Sequence, residues 1–309
     1  MKTEILGPDL RQLCQNSVLT IGNFDGVHKG HRALLRESVQ MARERGLIAA
    51  VLTFSPHPRA FLRPETAPVP IYDFRQEELL ISNQGISLLA VQKFNTEFAQ
   101  MTADAFMNSY LREAFSPRVI VVGHDFAFGK HREGSIDSLK QFCERHSIEL
   151  RVVLPIRHQD ELVSSTRIRK CLQTGEVELA NDMLVDPYAV NGLVKKGLQL
   201  GRQIGFPTAN LELDSTNLRR GVYFTRTIVN GKEHASISNV GTRPSVSNDS
   251  CLKIETYIYN FDEEIYGKEV QIQFLHFQRE EKKFSSVEEL KQAIHNDVIA
   301  GAEYHRIDR

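Results

Sequence analysis

Cysteine is scarce in this chain. Only Cys14, Cys143, Cys171 and Cys251 occur in 309 residues, far apart, with no CxxC pair. A disulfide framework and a zinc knuckle are therefore excluded, leaving buried or free thiols. Charge of one sign is also missing, because 38 Lys+Arg stand against 39 Asp+Glu for a net charge of -1. Without a basic excess there is no electrostatic footprint for a nucleic-acid partner, and none is expected. A local pocket for a small phosphorylated ligand stays open. The longest fully apolar run is residues 47–52, far short of the roughly 20 residues that a membrane span needs. Residues 1–13 carry Glu4, Pro8 and Asp9 where a signal peptide would be apolar. The expectation is a cytoplasmic protein without a membrane partner.

What is present is ordinary globular composition, 41% hydrophobic and 25% charged. At about 150 residues per domain the length predicts two domains. Residues 18–24 are apolar and β-branched, a buried strand. A Gly-rich turn follows, then a helical stretch to about Arg45 with Leu35, Val39 and Ala42 on one face and Gly46 as its stop. Residues 47–54 form another buried strand, completing a strand–helix–strand unit of a parallel sheet. Further strands are expected at 86–91, 119–123 and 150–154, with helices at 102–115, 136–146 and from Ser164 or Ser165 to Gly175. This half is α/β.

Near Asp186-Pro187 the texture changes to short strands and turns. Strands are expected at 192–194, 222–229, 234–240, 252–259 and 269–277. Asn230-Gly231 suits a type I′ turn, in which both central residues have positive φ. The pattern predicts a small antiparallel barrel. Ser286 and Glu289 predict a capping box for one closing helix, with Val287, Leu290, Ile294 and Val298 as its apolar stripe. The boundary divides the chain into residues 1–184 and 185–309.

Two constellations carry chemistry. The first turn reads Gly22-Asn23-Phe24-Asp25-Gly26-Val27-His28-Lys29-Gly30-His31. A strand that ends in such a turn and opens a helix is an anion-binding device, because the first helical amides are unpaired. His28 and His31 can donate to phosphate oxygens, and Gly30 leaves room between them. The plainer alternative is a pair of surface histidines. Later comes Ser164-Ser165-Thr166-Arg167-Ile168-Arg169, whose hydroxyls, amides and arginines could cradle a polyphosphate; a routine helix cap is its alternative. On the second half stands Gly201-Arg202-Gln203-Ile204-Gly205-Phe206-Pro207-Thr208-Ala209-Asn210. Gly201 and Gly205 permit close backbone approach, Pro207 fixes the turn, and Thr208 and Asn210 offer oxygen ligands for a hard cation such as Mg²⁺. A polar hairpin loop would look the same. Glu255, facing away from Ile254 and Ile258, is either a solvated strand carboxylate or a general base.

Together these segments resemble the bacterial bifunctional riboflavin kinase/FMN adenylyltransferase (FAD synthetase) family. Thr53-Phe54-Ser55-Pro56-His57-Pro58 and Val122-Gly123-His124-Asp125-Phe126-Ala127-Phe128-Gly129 support the first half of the likeness. Gly221-Val222-Tyr223, Asn239-Val240-Gly241-Thr242-Arg243-Pro244, residues 262–267, and Arg279, Glu281 and Phe284 support the second. The resemblance covers nearly the whole chain. It implies a Rossmann-like nucleotidyltransferase α/β domain followed by a six-stranded antiparallel β-barrel kinase domain with a C-terminal helix. The implied substrates are ATP, riboflavin and FMN, and the implied metal is Mg²⁺. His28 and His31 would stabilise the α-phosphate in transfer, Asn23 would contact phosphate or shape the turn with Gly22, Asp25 and Gly30, and Asp125 would help bind flavin or adenylate. Ser164, Ser165, Thr166 and Arg169 would hold pyrophosphate. Thr208 and Asn210 would bind Mg²⁺–ATP, and Glu255 would be the base for the ribityl 5′-hydroxyl. A monomer or weak homo-oligomer is expected. The chain departs from the family at Leu184-Val185 before Asp186-Pro187-Tyr188, where Gly-Arg usually precedes Pro-Tyr, and at Ser245, Ala127, Ser55 and Tyr257. None of these is a proposed catalytic residue.

Overall fold

The computed structural model describes residues 1–6, 15–196, 205–243 and 251–307. Its elements are β1 (Lys2–Ile5), β2 (Ser17–Ile21), α1 (Lys29–Arg45), β3 (Ile48–Ser55), α2 (Pro58–Leu62), α3 (Phe74–Ser82), β4 (Leu88–Lys93), α4 (Thr96–Ala99), α5 (Ala103–Phe106), β5 (Val119–Gly123), α6 (Ile136–Arg145), β6 (Glu149–Val153), β7 (Arg157–His158), β8 (Glu161–Leu162), α7 (Ser165–Thr174), α8 (Val177–Met183), β9 (Ala189–Leu193), β10 (Thr208–Leu213), β11 (Gly221–Val229), β12 (Lys232–Arg243), β13 (Cys251–Ile258), β14 (Glu269–Glu280) and α9 (Val287–His305). They form two compact units, Met1–Ser165 and Thr166–Arg309. The change in sequence texture falls later than this division, because α7 and α8 group with the second unit although both are helical.

In the first unit six strands pair in the order β1-β4-β3-β2-β5-β6, all parallel. The central strand β2 is buried along its whole length, as a parallel strand covered on both faces must be. Alternation then sorts the core into two layers. Leu19, Leu52 and Ile120 meet Phe106, Leu111 and Phe142 on one face, while Val18, Val51 and Val121 meet Leu35, Met41 and Ile81 on the other. Helix α1 ends where expected: Gly46 takes a left-handed φ of 64° and returns its N–H to the Ala42 carbonyl. The helix expected over 102–115 is only partly α. Beyond α5 the backbone widens into π geometry over Met107–Phe115, and the amide that ends it, Ser116 N–H, reaches back five residues to Leu111. Cys143 is a buried free thiol, pushed up to about 11 by burial.

The second unit carries a six-stranded sheet ordered β10-β13-β12-β11-β14-β9, antiparallel at every pair. A bridge between Lys195 and Asn210 brings its two edges together, so the barrel nearly closes and few edge groups are left unpaired. The β11–β12 hairpin turns through Asn230 (φ 50°) and Gly231 (φ 76°), both left-handed as a type I′ turn requires. The interior of this region is not purely aliphatic. Thr225, Thr227, Ser236, Ser238 and Thr256 are buried and joined hydroxyl to hydroxyl at 2.8–2.9 Å, so their burial is compensated. Strand β10 falls where the sequence suggested a polar hairpin loop, because Ala209 and Leu211 are buried between its polar residues.

Helix α9 packs on the outside of the barrel, Val298 and Ala300 against Val222, Phe224 and Ile237. The expected capping is half realised. Ser286 accepts the Glu289 amide at 3.1 Å, but the Glu289 carboxylate reaches Ser285 rather than Ser286. The expected apolar stripe also starts too early, since Val287 is exposed in the first turn. The helix is held further along. Arg279 forks onto the Asp297 carboxylate, with Nε 2.9 Å from Oδ1, and Tyr259 donates to the Val298 carbonyl at 2.7 Å. Gly301 is needed there, because a Cβ would lie 2.3 Å from the Tyr259 hydroxyl oxygen. Gly301→Ala should therefore cost about 1–3 kcal/mol in denaturant unfolding of the barrel. Adding Tyr259→Phe should recover part of that loss; an unaltered midpoint for Gly301→Ala would contradict this packing.

Candidate active sites

The first site lies at the carboxyl end of β2, where the strand order reverses between β3 and β5. Open α/β sheets place ligands at such a switch point. The loop from Gly22 leads into α1, and His28 is the residue that caps it. Its Nδ1 accepts the His31 amide at 3.3 Å. With Nδ1 accepting, the neutral ring carries its proton on Nε2. The two imidazoles then stack, centroids 3.7 Å apart and 15° from parallel, and Phe24 meets His31 edge-on at 5.3 Å. Gly30 makes the approach feasible: a Cβ there would stand 3.0 Å from the His28 ring. The space that the sequence suggested for a phosphate between the rings is therefore taken by the His28 ring.

Burial holds His28 down to about 4, against a smaller upward pull from its backbone hydrogen bond and from Asp125. His31 is lowered too, by burial first and then by His28. Its Nδ1 is shielded from solvent and has no hydrogen-bond partner. Asp125, just beyond β5, is exposed but close enough to act on His28. Asp25 is buried, and its Oδ1 accepts the Ile71 amide at 2.8 Å. Ser165, the first residue of α7, donates its hydroxyl to the Asp25 carbonyl at 2.9 Å. Thus His28, Gly30, His31, Asp25, Asp125 and Ser165 belong to one locality. Gly22 and Asn23 lie in the same loop, Asn23 exposed, and Ser164 precedes α7 half-buried. Thr166 is exposed in the first turn of α7, whereas Arg169, one turn further, is buried and lowered by that burial.

Sequence reasoning missed an aromatic row in the same unit. Phe94 lies 5.7 Å from Phe61 and 5.6 Å from Phe98, and Phe98 lies 5.3 Å from Tyr110. Phe61 is 38% exposed, an apolar ring offered to solvent. The signal was the density of phenylalanine just after β3 and β4, which periodicity alone assigns to core.

The second site is a cavity of about 400 Å³ in the barrel unit, lined by Pro207, Thr208, Asn210, Thr256, Asp262, Glu263, Glu264 and Tyr266 among others. Asn210 is buried, and its Nδ2 donates to the Thr208 carbonyl at 3.1 Å, which leaves its Oδ1 outside that bond. Strand register places Glu255 opposite Asn210 on β10 and opposite Asn239 on β12. Glu255 is exposed while Ile254 and Ile258 are buried, and it is not among the cavity-lining residues. Gly205 is left-handed at φ 90°; Gly201 lies outside the described residues. Among the described residues no three His, Cys, Asp or Glu side chains converge as a metal cage. The oxygen set of Thr208, Asn210 and nearby carboxylates nevertheless fits a hard cation that keeps phosphate and water ligands.

An α/β unit with a histidine pair at a switch-point helix, followed by an antiparallel barrel with an oxygen-lined cavity, defines a two-site phosphoryl-transfer class. The comparisons specify the family. The FAD synthetase family model matches residues 10–167 and the riboflavin kinase model matches residues 184–305. A bifunctional riboflavin kinase/FMN adenylyltransferase of Listeria monocytogenes is 36% identical, covering 91% of this chain and 90% of its own. That of Escherichia coli K12 is 32% identical, covering 94% and 93%. A crystal structure described as a macrolide-efflux protein from Streptococcus pneumoniae superposes with TM-score 0.86 at 30% identity, covering 97% of this chain and 98% of that one. Among the described residues no helix is long and apolar enough to cross a membrane. The chain belongs to the bifunctional riboflavin kinase/FMN adenylyltransferase family.

The lowered histidines make stability depend on pH with a definite sign. A folded-state value near 4 against 6.5 for the unfolded chain means that the unfolded chain binds the proton first. Stability is then complete above about 6.5 and falls as pH drops toward 4, by up to about 3 kcal/mol for His28. Urea unfolding of ligand-free protein at pH 7 and pH 4.5 should differ accordingly, and His28→Asn should shrink the difference. Equal loss in wild type and variant would contradict the assignment.

Proposed function

We propose that this bifunctional riboflavin kinase and FMN adenylyltransferase runs its two reactions at separate ATP sites, adenylyl transfer in residues 1–184 and the kinase reaction in residues 185–309. In the kinase reaction the ribityl 5′-hydroxyl attacks the γ-phosphate of ATP; the new O–P bond forms as the bridging bond to the β-phosphate breaks, and ADP leaves. Glu255 takes the hydroxyl proton. In the second reaction a phosphate oxygen of FMN attacks the α-phosphate of a second ATP, giving FAD and pyrophosphate. Positioning and charge stabilisation supply most of the rate in such transfers.

The observation that carries the reading is the neutral, stacked His28–His31 pair at the start of α1. Ring N–H groups and the helix-start amides together form a donor surface at the end of a strand. Phosphate meets the ring edges there, and its negative charge raises the imidazoles back toward protonation as charge develops. Ser164, Ser165, Thr166 and Arg169 hold the departing pyrophosphate, with Gly22, Asn23, Asp25 and Gly30 shaping the turn and Asp125 on the flavin or adenylate side. The Phe61 and Phe94 rings offer a stacking face for a planar flavin.

In the barrel, the acidic loop at Asp262, Glu263 and Glu264 would repel a bare polyphosphate. Thr208 and Asn210 would hold Mg²⁺ there, with Gly205, Pro207 and the segment from Gly201 close to the nucleotide. Mg²⁺ would neutralise the phosphates and orient the γ-phosphate. We place the enzyme in the cytoplasm, acting on small molecules as a monomer or weak homo-oligomer.

Purified protein incubated with riboflavin, ATP and MgCl₂, with flavins separated by chromatography over time, should give FMN and then FAD. Glu255→Gln should slow FMN formation about 10²–10⁴-fold and leave conversion of added FMN to FAD intact. His31→Ala should slow FAD formation by about 10²–10³-fold and spare FMN formation. A folded variant that lost both reactions would refute the separation.

A further inference from the structure

The five buried hydroxyls of the barrel form one unbranched chain across three strands. It runs from Thr227 of β11 to Ser236 of β12, back to Thr225, on to Ser238 and across to Thr256 of β13, each step 2.8–2.9 Å. Among the described residues none of these hydroxyls has another hydrogen-bond partner. Apolar groups of the same shape can serve stability as well as buried hydrogen-bonded pairs, so the chain calls for another reason.

Its direction follows from counting protons. Five hydroxyls carry five protons, and the chain uses four. The Thr227 hydroxyl donates to Ser236. If Ser236 then gives to Thr225, Thr225 to Ser238 and Ser238 to Thr256, the unused proton belongs to Thr256. Every other arrangement leaves it on Ser236, Thr225 or Ser238, as a desolvated donor without an acceptor, which is the costly case. Thr256 is also where a spare proton can be used. Thr256 and Ile258, on one face of β13, both line the cavity of about 400 Å³, whereas Glu255 and Tyr257, on the other face, do not. The Thr256 side chain therefore faces that cavity, beside Thr208 and Asn210.

We propose that Thr256 donates its hydroxyl proton to a phosphate oxygen of ATP in riboflavin phosphorylation, and that the buried chain orients it through Ser238. This rests on the reading of the cavity at Thr208 and Asn210 as the nucleotide site of the kinase reaction. The acceptor belongs to the nucleotide rather than to riboflavin, because Glu255, which takes the ribityl proton, stands on the opposite face of β13. Phosphate oxygens only accept, so a hydroxyl that returned its proton to Ser238 would meet them lone pair to lone pair. The chain removes that alternative.

The test compares Thr256→Val, Thr256→Ser and Ser238→Ala in the full chain, with thermal unfolding as the folding control. Thr256→Val keeps the shape and loses the donor. It should raise KM for ATP in riboflavin phosphorylation about tenfold or more, with KM for riboflavin and the rate of FMN-to-FAD conversion within about twofold of wild type. Thr256→Ser should restore most of the affinity for ATP. Ser238→Ala, outside the cavity lining, should also raise KM for ATP, by a smaller factor, and it carries the test should Thr256→Val fail to fold. Wild-type KM for ATP in folded Thr256→Val, a rise in KM for riboflavin instead, or Thr256→Ser as impaired as Thr256→Val would overturn the proposal. An unaltered KM for ATP in Ser238→Ala would overturn the orienting role of the chain. Asn210→Ala with undiminished FMN formation would instead remove the reading beneath it.

Discussion

Two imidazoles stacked 3.7 Å apart at the start of one helix sit together most favourably while both are uncharged. Burial secures this, since it disfavours the imidazolium at both positions. The helix start already concentrates unpaired N–H groups and partial positive charge, so two cations there would repel each other and the helix. Left neutral, the pair adds no charge to the helix start. Much of the first unit serves this constraint. The parallel sheet buries β2 from both faces, the strand order reverses beside it, and the turn between β2 and α1 is tied by Ile71 and Ser165.

The barrel unit meets a different requirement. It holds an oxygen-rich cavity on strands rather than on a helix end, beside the carboxylates of Asp262, Glu263 and Glu264. Its interior tolerates polar groups because each buried hydroxyl of the Thr225–Ser238 network has a partner on a neighbouring strand. The outer helix α9 is fixed through Arg279–Asp297 and Tyr259–Val298. A net charge near zero thus conceals two local arrangements, uncharged imidazoles in one unit and an oxygen-lined cavity in the other.

Much of this was legible in the amino-acid sequence. Residues 119–123 and the span of α1 with its Gly46 stop follow from apolar runs and one glycine, because local periodicity and capping decide them. Asn230-Gly231 announced its hairpin for the same reason. Other features depended on contacts distant in sequence. The turn-like residues of the Gly201–Asn210 segment hid strand β10, whose pairing with β13 is decided some 45 residues away. The π geometry after α5 does not alter side-chain composition. That His28 and His31 stand together at the start of α1 was legible from their motif, whereas their stacking, neutrality and aromatic neighbour required the fold.

The account depends most on the charge state of the histidine pair. ¹⁵N-histidine NMR of the ligand-free full chain, titrated from pH 7.5 to 4, measures it directly. The structure predicts that His28 takes up its proton only near 4 and that His31 also titrates well below the ordinary 6.5. Protonation of either ring near the ordinary 6.5 would contradict the account.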